Sequence, residues 1–457
     1  MGDRRTHART RALKSGMLEP ASTTLTGPMI VSGLILVAAY ALIFAEVMHR
    51  MHAAIIGAVG MVGAGLYGGF YTQEKAIQAI DANTMLLLGG MMMMVALLRH
   101  TGGFEYLAIR IAKRTASRPR HLLVSLALAV SVISMFLDNV TTVIIFAPLT
   151  VLICRMVGLN PMPYLMAEAM MSNIGGIATL VGDPPNIMIG SAAGIDFNRF
   201  LWHLGPMVAV IWCVTVTLLL YRFRRELATP AAFTGIVDLD ETRAITDPRG
   251  LKRGLAGLAV IIALFFVHHH LHLYPAYATF IGLALVLAIS RPDPDTLLRH
   301  VEWSVLLFFA ALFIIVGGVE SSGLLALIGH SLASVASDPE LLLISCLLLM
   351  WVAALLSAII DNIPFTVTMI PIVLSLESSG VNITPMWWAL ALGVGLGGNG
   401  SHIGATANII CVSESERSGI PGARITPGLW LRHGFPSMLA SLVVASLLFT
   451  IFFGFLS

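Results

Sequence analysis

Stretches of about 20 mostly apolar residues, the length a helix needs to cross a bilayer, recur along the whole chain and constrain its fold more than any other feature. Ten spans are read: roughly 29–47, 53–70, 84–98, 164–193, 200–221, 251–270, 274–290, 303–319, 384–412 and 429–456. Composition agrees, because 57% of residues are hydrophobic and 11% charged, against about a quarter charged in soluble domains. So little polar surface cannot clothe a water-soluble globule. The sequence reads as an all-α polytopic, multi-pass membrane protein in contact with lipid. A net charge of +2 leaves no basic surface for nucleic acid. Cys154, Cys213, Cys346 and Cys411 all lie in apolar stretches without C-x-x-C or His/Cys ligand spacing, which argues against a disulfide scaffold or a structural metal.

Residues 1–28 form a basic N-terminal tail with Arg4, Arg5, Arg9, Arg11 and Lys14, and no short apolar core with a small-residue cleavage site precedes residue 29. No cleavable signal peptide is read. The longest polar interruption, about 222–253, carries Arg222, Arg224, Arg225, Arg243, Arg249, Lys252 and Arg253. It divides the chain into a transmembrane repeat over 29–222, a cytoplasmic linker loop over 223–250 and a second repeat over 251–457.

The halves match. Asp138-Asn139-Val140 followed by Pro148 returns as Asp361-Asn362-Ile363 followed by Pro371. Gly182-Asp183-Pro184-Pro185-Asn186-Ile187 aligns with Gly404-Ala405-Thr406-Ala407-Asn408-Ile409, and Asn83-Thr84-Met85-Leu86-Leu87 with Trp303-Ser304-Val305-Leu306-Leu307. Three matches in the same order, at offsets of 220 to 223 residues, indicate an internal repeat.

Each half then has five spans and one odd segment, about 121–156 and 340–378, with the Asp-Asn motif in its middle. A polar tip between two apolar arms of about fifteen residues suits a re-entrant hairpin, since each arm is short for a crossing and the tip needs protein or water around it. A single kinked span is the alternative. Five crossings per half invert the second repeat relative to the first. Placing 99–120 in the cytoplasm puts 20 of the 22 Lys and Arg after residue 28 inside, leaving only Lys75 and Arg199 outside, but it also places the basic tail outside, against the charge rule.

Ionisable groups within an apolar core mark transport paths by default. Asp138 and Asp361 hold equivalent places, each followed by an amide and hydroxyls: Asn139, Thr141 and Thr142 in one half, Asn362, Thr366 and Thr368 in the other. A carboxylate beside an amide can hold a proton or sodium ion, and tip hydroxyls and amides can hold an oxyanion or neutral hydroxylated solute. Capping of helix N-termini is the plainer role. The second constellation is Ser172-Asn173-Ile174-Gly175-Gly176 through Asn186, with its partner Gly397-Gly398-Asn399-Gly400-Ser401-His402 through Asn408. Glycine and proline at this density break helices, and the freed backbone groups need a cavity or protein around them; close packing is the plainer role for the glycines. The site reading is a solute and ion shell of Asn139, Thr141, Thr142, Asn173, Asn186, Asn362, Thr366, Asn399, Ser401 and Asn408, with Asp138 and Asp361 carrying the coupling charge. Met91 to Met94 read as packing, His268 to His270 with His272 as an interfacial cluster, and Glu168 and Glu320 as lying near span ends. No arrangement of nucleophile, base and oxyanion hole suggests an enzyme.

Phe136-Leu-Asp-Asn-Val-Thr-Thr, Ile174-Gly-Gly-Ile-Ala-Thr-Leu-Val-Gly-Asp-Pro-Pro-Asn186, Ile360-Asp-Asn-Ile-Pro-Phe-Thr-Val-Thr-Met-Ile-Pro371 and Gly397-Gly-Asn-Gly-Ser-His-Ile-Gly-Ala-Thr-Ala-Asn408 resemble the ion transporter superfamily, in its arsenite permease and melanosomal P protein branch with a citrate transporter-like domain. The resemblance covers roughly 29–457 and implies hairpins paired with broken helices, a homodimer, and a secondary active transporter working by alternating access. It implies a metalloid hydroxide or small inorganic ion as cargo, exchanged against protons across the plasma membrane, with no cofactor beyond a bound proton or sodium ion. Permeases of this type can also work with a separate ATPase subunit. The superfamily's dicarboxylate branch carries Ser-Asn-Thr at the hairpin tips, where this chain has Asp138-Asn139-Val140 and Asp361-Asn362-Ile363; two ionised aspartates would repel a dianion. Sodium/proton antiport, sodium-coupled citrate transport and a passive channel are the other readings.

Overall fold

A computed structural model describes residues 25–45, 47–115, 118–228, 241–336 and 341–457. Expectations for the tail before residue 25 and for the linker over 229–240 fall outside these residues. The described chain is helical, without strands. The first half holds α1 (Gly27–Phe44), α2 (Arg50–Gly68), α3 (Gln73–Ala79), α4 (Ala82–Arg99), α5 (Gly103–Thr115), α6 (Pro119–Ser134), α7 (Asn139–Val157), α8 (Met162–Ile177), α9 (Pro184–Ala193) and α10 (Phe197–Arg222). The second holds α11 (Pro248–Val267), α12 (Pro275–Ser290), α13 (Pro294–Arg299), α14 (Trp303–Ser321), α15 (Leu324–Ala336), α16 (Leu342–Ser357), α17 (Asn362–Ser378), α18 (Thr384–Gly397), α19 (Thr406–Arg417) and α20 (Pro427–Ile451), before a final short α21 (Phe453–Leu456). From α1 to α10 and from α11 to α20 the order of long and short helices is the same.

Among the described residues α2, α4, α7, α10, α11, α14 and α20 are long and apolar enough to cross a membrane. One of them corrects an expectation: α7, read as a hairpin arm of about fifteen residues, has 19 and is long enough to cross by itself. Within the basic stretch 99–120, residues 103–115 form a helix. Starts follow local chemistry, with proline in the first turn of α6, α8, α9, α11, α12, α18 and α20.

Glycine sets how the central helices meet. In each half the helix before the Asp-Asn motif packs along the helix that leads into the break, α6 on α8 and α16 on α18. A Cβ on Gly175 would lie 2.5 Å from the Ser131 carbonyl oxygen, and one on Gly397 would lie 2.4 Å from that of Ala354. Ser134 Oγ donates to the Ser172 carbonyl at 2.7 Å, and Ser357 Oγ to the Val394 carbonyl at 2.9 Å. The helices after the motif exchange partners: α7 packs on α19 of the other half, and α17 on α9.

Hydrogen bonds tie loops of one half to loops of the other. Thr246 donates through its amide to Thr101 and through its hydroxyl to His100, and Asn160 donates to Gly422. Elsewhere Asn198 donates to Phe266, and the Ala276 amide to Asn83.

Candidate functional site

The two breaks are built alike. Between α8 and α9 the chain leaves the helix over 178–183, and between α18 and α19 it passes through a 3-10 turn (Gly398–Gly400) and non-helical residues 401–405. Carbonyls freed in a buried break must find donors. Asn186 Nδ2 donates to the carbonyls of Gly176 at 3.0 Å and Thr179 at 2.9 Å. Asn408 Nδ2 donates to those of Gly398 at 2.7 Å and Ser401 at 2.8 Å. Each break closes through glycine: a Cβ on Gly176 would lie 2.6 Å from the Gly182 carbonyl oxygen, and one on Gly404 would lie 2.8 Å from that of Gly398.

The motif aspartates cap the helices that follow them. Asp138 accepts from the Thr141 amide at 2.8 Å and from its hydroxyl at 2.5 Å. Asp361 accepts from the Ile363 amide at 3.4 Å. Their surroundings then diverge. Asp361 Oδ2 accepts from Arg50 Nη1 at 2.8 Å, whereas among the described residues no ion pair reaches Asp138, although it is only 6% exposed.

Amides carry the contact between halves. Asn139 Nδ2 donates to Asn173 Oδ1 at 3.0 Å. Asn173 Nδ2 donates in turn to Asn399 Oδ1 at 2.9 Å and to Asn408 Oδ1 at 3.2 Å, and Asn399 Nδ2 donates to the Met170 carbonyl at 3.3 Å. On the other side Asn362 Nδ2 donates to both Asp183 carboxylate oxygens, at 3.3 and 3.5 Å. Asp183, 2% exposed, lies within electrostatic range of both Asp138 and Asp361 and beside the Asn139 amide. Asn139 Oδ1 is buried with no hydrogen-bond partner.

Hydrogen bonds thus link Asn139, Asn173, Asn399 and Asn408 in one buried amide chain, while Asn362 reaches Asp183 and Asn186 holds its own break, with Asp138 and Asp361 directly before Asn139 and Asn362. Thr142 Oγ1 donates to the Asp138 carbonyl and Thr366 Oγ1 to the Asn362 carbonyl, so their hydroxyl hydrogens, like that of Thr141, serve the helix start. Ser401 is half-buried, its carbonyl held by Asn408 and its hydroxyl accepting from the Ile403 amide.

Three residues escaped sequence reasoning. Asp183 stood inside a quoted motif, but its counterpart Ala405 is neutral, so repeat symmetry passed over it. Arg50 meets Asp361 across 311 residues, with no local signal. Glu168, read as lying near a span end, is fully buried within α8, bonded to Thr150 through one oxygen and unpartnered at the other. The histidine cluster ends α11: His268 Nδ1 pairs with the Leu273 carbonyl at 2.8 Å and its Nε2 accepts from the Phe197 amide. Among the described residues no group of three or more His, Cys, Asp or Glu is placed to hold a metal.

Comparison with known proteins gives the chain a family. Residues 40–393 match the citrate transporter family CitMHS. An uncharacterized transporter of Mycobacterium tuberculosis is 40% identical, the match covering 86% of this chain and 92% of that one. The human P protein is 31% identical over 90% of this chain and 58% of its own length. Among solved structures, the YdaH transporter of Alcanivorax borkumensis has a likeness in fold, with a TM-score of 0.57 at 15% identity, covering 94% of this chain and 99% of that one. A family match over most of the chain, with the mycobacterial relative matched along 92% of its length and the P protein along 90% of this chain, makes this protein a membrane transporter of the CitMHS and P protein family.

Proposed function

We propose that the protein is a secondary active transporter of a small inorganic ion or metalloid hydroxide, coupled to protons and working by alternating access between two inverted repeats over 29–222 and 251–457, joined by a cytoplasmic linker over 223–250. The observation that carries this reading is the gathering of Asp138, Asp183 and Asp361 around one amide cluster, with Arg50 the only cation bridging any of the three among the described residues. Buried carboxylates without countercharge are costly. Protons or cations entering with the cargo supply the balance, and that requirement is a coupling mechanism. Asn139 Oδ1, buried and unpartnered, offers one more acceptor.

Matched helix order and the exchange of α7 and α17 between halves support the repeat, and the bonds joining 246 to 100–101, and 160 to 422, support placing the two members of each pair on one side. In this reading α6 with α7, and α16 with α17, are the re-entrant hairpins. The protein sits in the plasma membrane as a homodimer, with a bound proton or sodium ion rather than a resident cofactor, and a separate ATPase subunit is an optional partner.

A sodium/proton antiporter is the second reading, favoured by the excess of carboxylates over cations at the cluster. Citrate, which the family's name suggests, would meet Asp138 and Asp183 as like charges unless cations came with it. Flux into proteoliposomes tests all three: arsenite, chloride, sodium and citrate are offered in turn under an imposed proton or sodium gradient. Uphill movement of arsenite or another small inorganic species with the proton gradient supports the proposal. Exchange of sodium for protons alone selects the antiporter, uphill movement of citrate with the sodium gradient selects the citrate reading, and flux that never runs uphill selects a channel.

A further inference from the structure

Arg50 opens α2, a helix packed along α1 and α14, yet its side chain reaches two elements of the second half's site. Nη1 donates to Asp361 Oδ2 at 2.8 Å and to Thr406 Oγ1 at 3.0 Å, and the guanidinium lies 5.4 Å from the centre of the Phe308 ring. One side chain therefore ties α2 both to the tip between α16 and α17 and to the first residue of α19. The first half has no equivalent, since Asp138 lacks a bridging cation among the described residues. The pair is not sealed: Arg50 and Asp361 are 26% and 13% exposed and line a cleft of about 510 Å³ with Met48, His49, Ile403 and Ile409.

We propose that Arg50 is a positioning residue that competes with the coupling cation for Asp361, so that loading the cation releases this tip from α2. The inference rests on the reading of Asp361 as a coupling carboxylate. A partly open ion pair suits this role because it is held by geometry yet within reach of ions in the cleft, whereas a sealed pair would have to break at the full cost of an uncompensated buried charge. Neutral Thr406 and the Phe308 ring keep Arg50 in place when Asp361 is occupied, through a hydrogen bond and a cation–π contact. Among the described residues, the other ionisable groups facing the pair are His49, in the cleft, and Asp183, within range of Asp361.

The test is cross-linking across the cleft with a short bifunctional thiol reagent between Met48→Cys and Ile403→Cys, in a Cys213→Ser background and without cargo, so that it reads the latch even if the cargo assignment fails. Arg50→Gln and Asp361→Asn should each lower cross-linking by about tenfold, with the double variant no lower than either single one. Charge reversal, Arg50→Asp with Asp361→Arg, should restore it. Raising sodium at fixed pH should lower cross-linking in the parent and leave Asp361→Asn unmoved. Unchanged cross-linking in both single variants, additive losses, or the same cation response in Asp361→Asn as in the parent would overturn the proposal. Should a single variant fail to insert, the charge reversal decides: restored cross-linking supports the latch, and its loss or failure to insert rejects it.

Discussion

Asp183 and Asn362 meet at 3.3 Å across the two halves, the carboxylate coming from the break before α9 and the amide from the first residue of α17. The counterpart of Asp183 is Ala405, so this contact has no mirror on the side of Asn139, and a chain built from a repeat carries an asymmetric centre.

Removing the amide on either side should weaken transport without unfolding the protein. Asn362→Ala leaves Asp183 with no donor from α17, and Asn139→Ala removes the link to Asn173. Loss of one buried partner typically costs about 1–3 kcal/mol, or roughly one to two decades in apparent affinity. Proteoliposome uptake should show that loss in both variants, with normal insertion judged by gel filtration in detergent. Wild-type uptake in both would move the site elsewhere.

Asn186 and Asn408 hold the breaks rather than the tips, so their variants should behave differently. Each side chain donates twice to freed carbonyls. Asn186→Ala and Asn408→Ala should each lower thermal stability in detergent to a similar extent, about 1–3 kcal/mol or somewhat more for two bonds. A large loss in one and none in the other would contradict equivalent roles.

The glycine contacts give a test of packing alone. Gly175→Ala and Gly397→Ala put a Cβ within 2.5 Å of backbone oxygen on the neighbouring helix, an obstacle no side-chain movement relieves. Overpacking of this kind costs about 1–3 kcal/mol. Gly60→Ala, on the open side of α2 with nothing within 4 Å, should be neutral or slightly stabilising. Melting curves in one detergent compare the three, and equal stability throughout would refute the close approach.

Much of this arrangement was legible because it is repeated. Asp138 with Asp361, Asn186 with Asn408 and Gly176 with Gly398 hold equivalent positions, and a single sequence displays such pairs at a fixed offset. What repetition conceals is whatever breaks it. Asp183 has a neutral counterpart, and Arg50 reaches Asp361 only through tertiary contact. Periodicity also said little about where Thr141, Thr142 and Thr366 send their hydroxyl hydrogens, because local bonding to the helix start competes with any solute and leaves no mark in composition. α7 runs unbroken through Pro148, since a proline within a buried helix need not end it when neighbouring helices support the backbone.

The carboxylates can be separated by substitution. Asp183→Asn keeps the shape and one acceptor oxygen for Asn362 but removes the charge that faces it. Coupled uptake should fall while cross-linking across the Arg50 cleft remains within about twofold of the parent, a change of under about half a kcal/mol. Equal effects on both would mean that Asp183 acts through the latch.

Uphill uptake by proteoliposomes, followed from mildly acid to mildly alkaline pH in the parent and in the double variant Asp138→Asn with Asp361→Asn, tests the central claim most directly. Both aspartates cap helix starts and asparagine can keep those caps, so the variant removes the charges, and with them the Arg50 ion pair, while keeping the helix starts. The account predicts that accumulation against a gradient disappears and that the remaining flux loses its pH dependence. Uphill transport with the parent's pH profile would show that the two aspartates serve only as caps and that the coupling charge lies elsewhere.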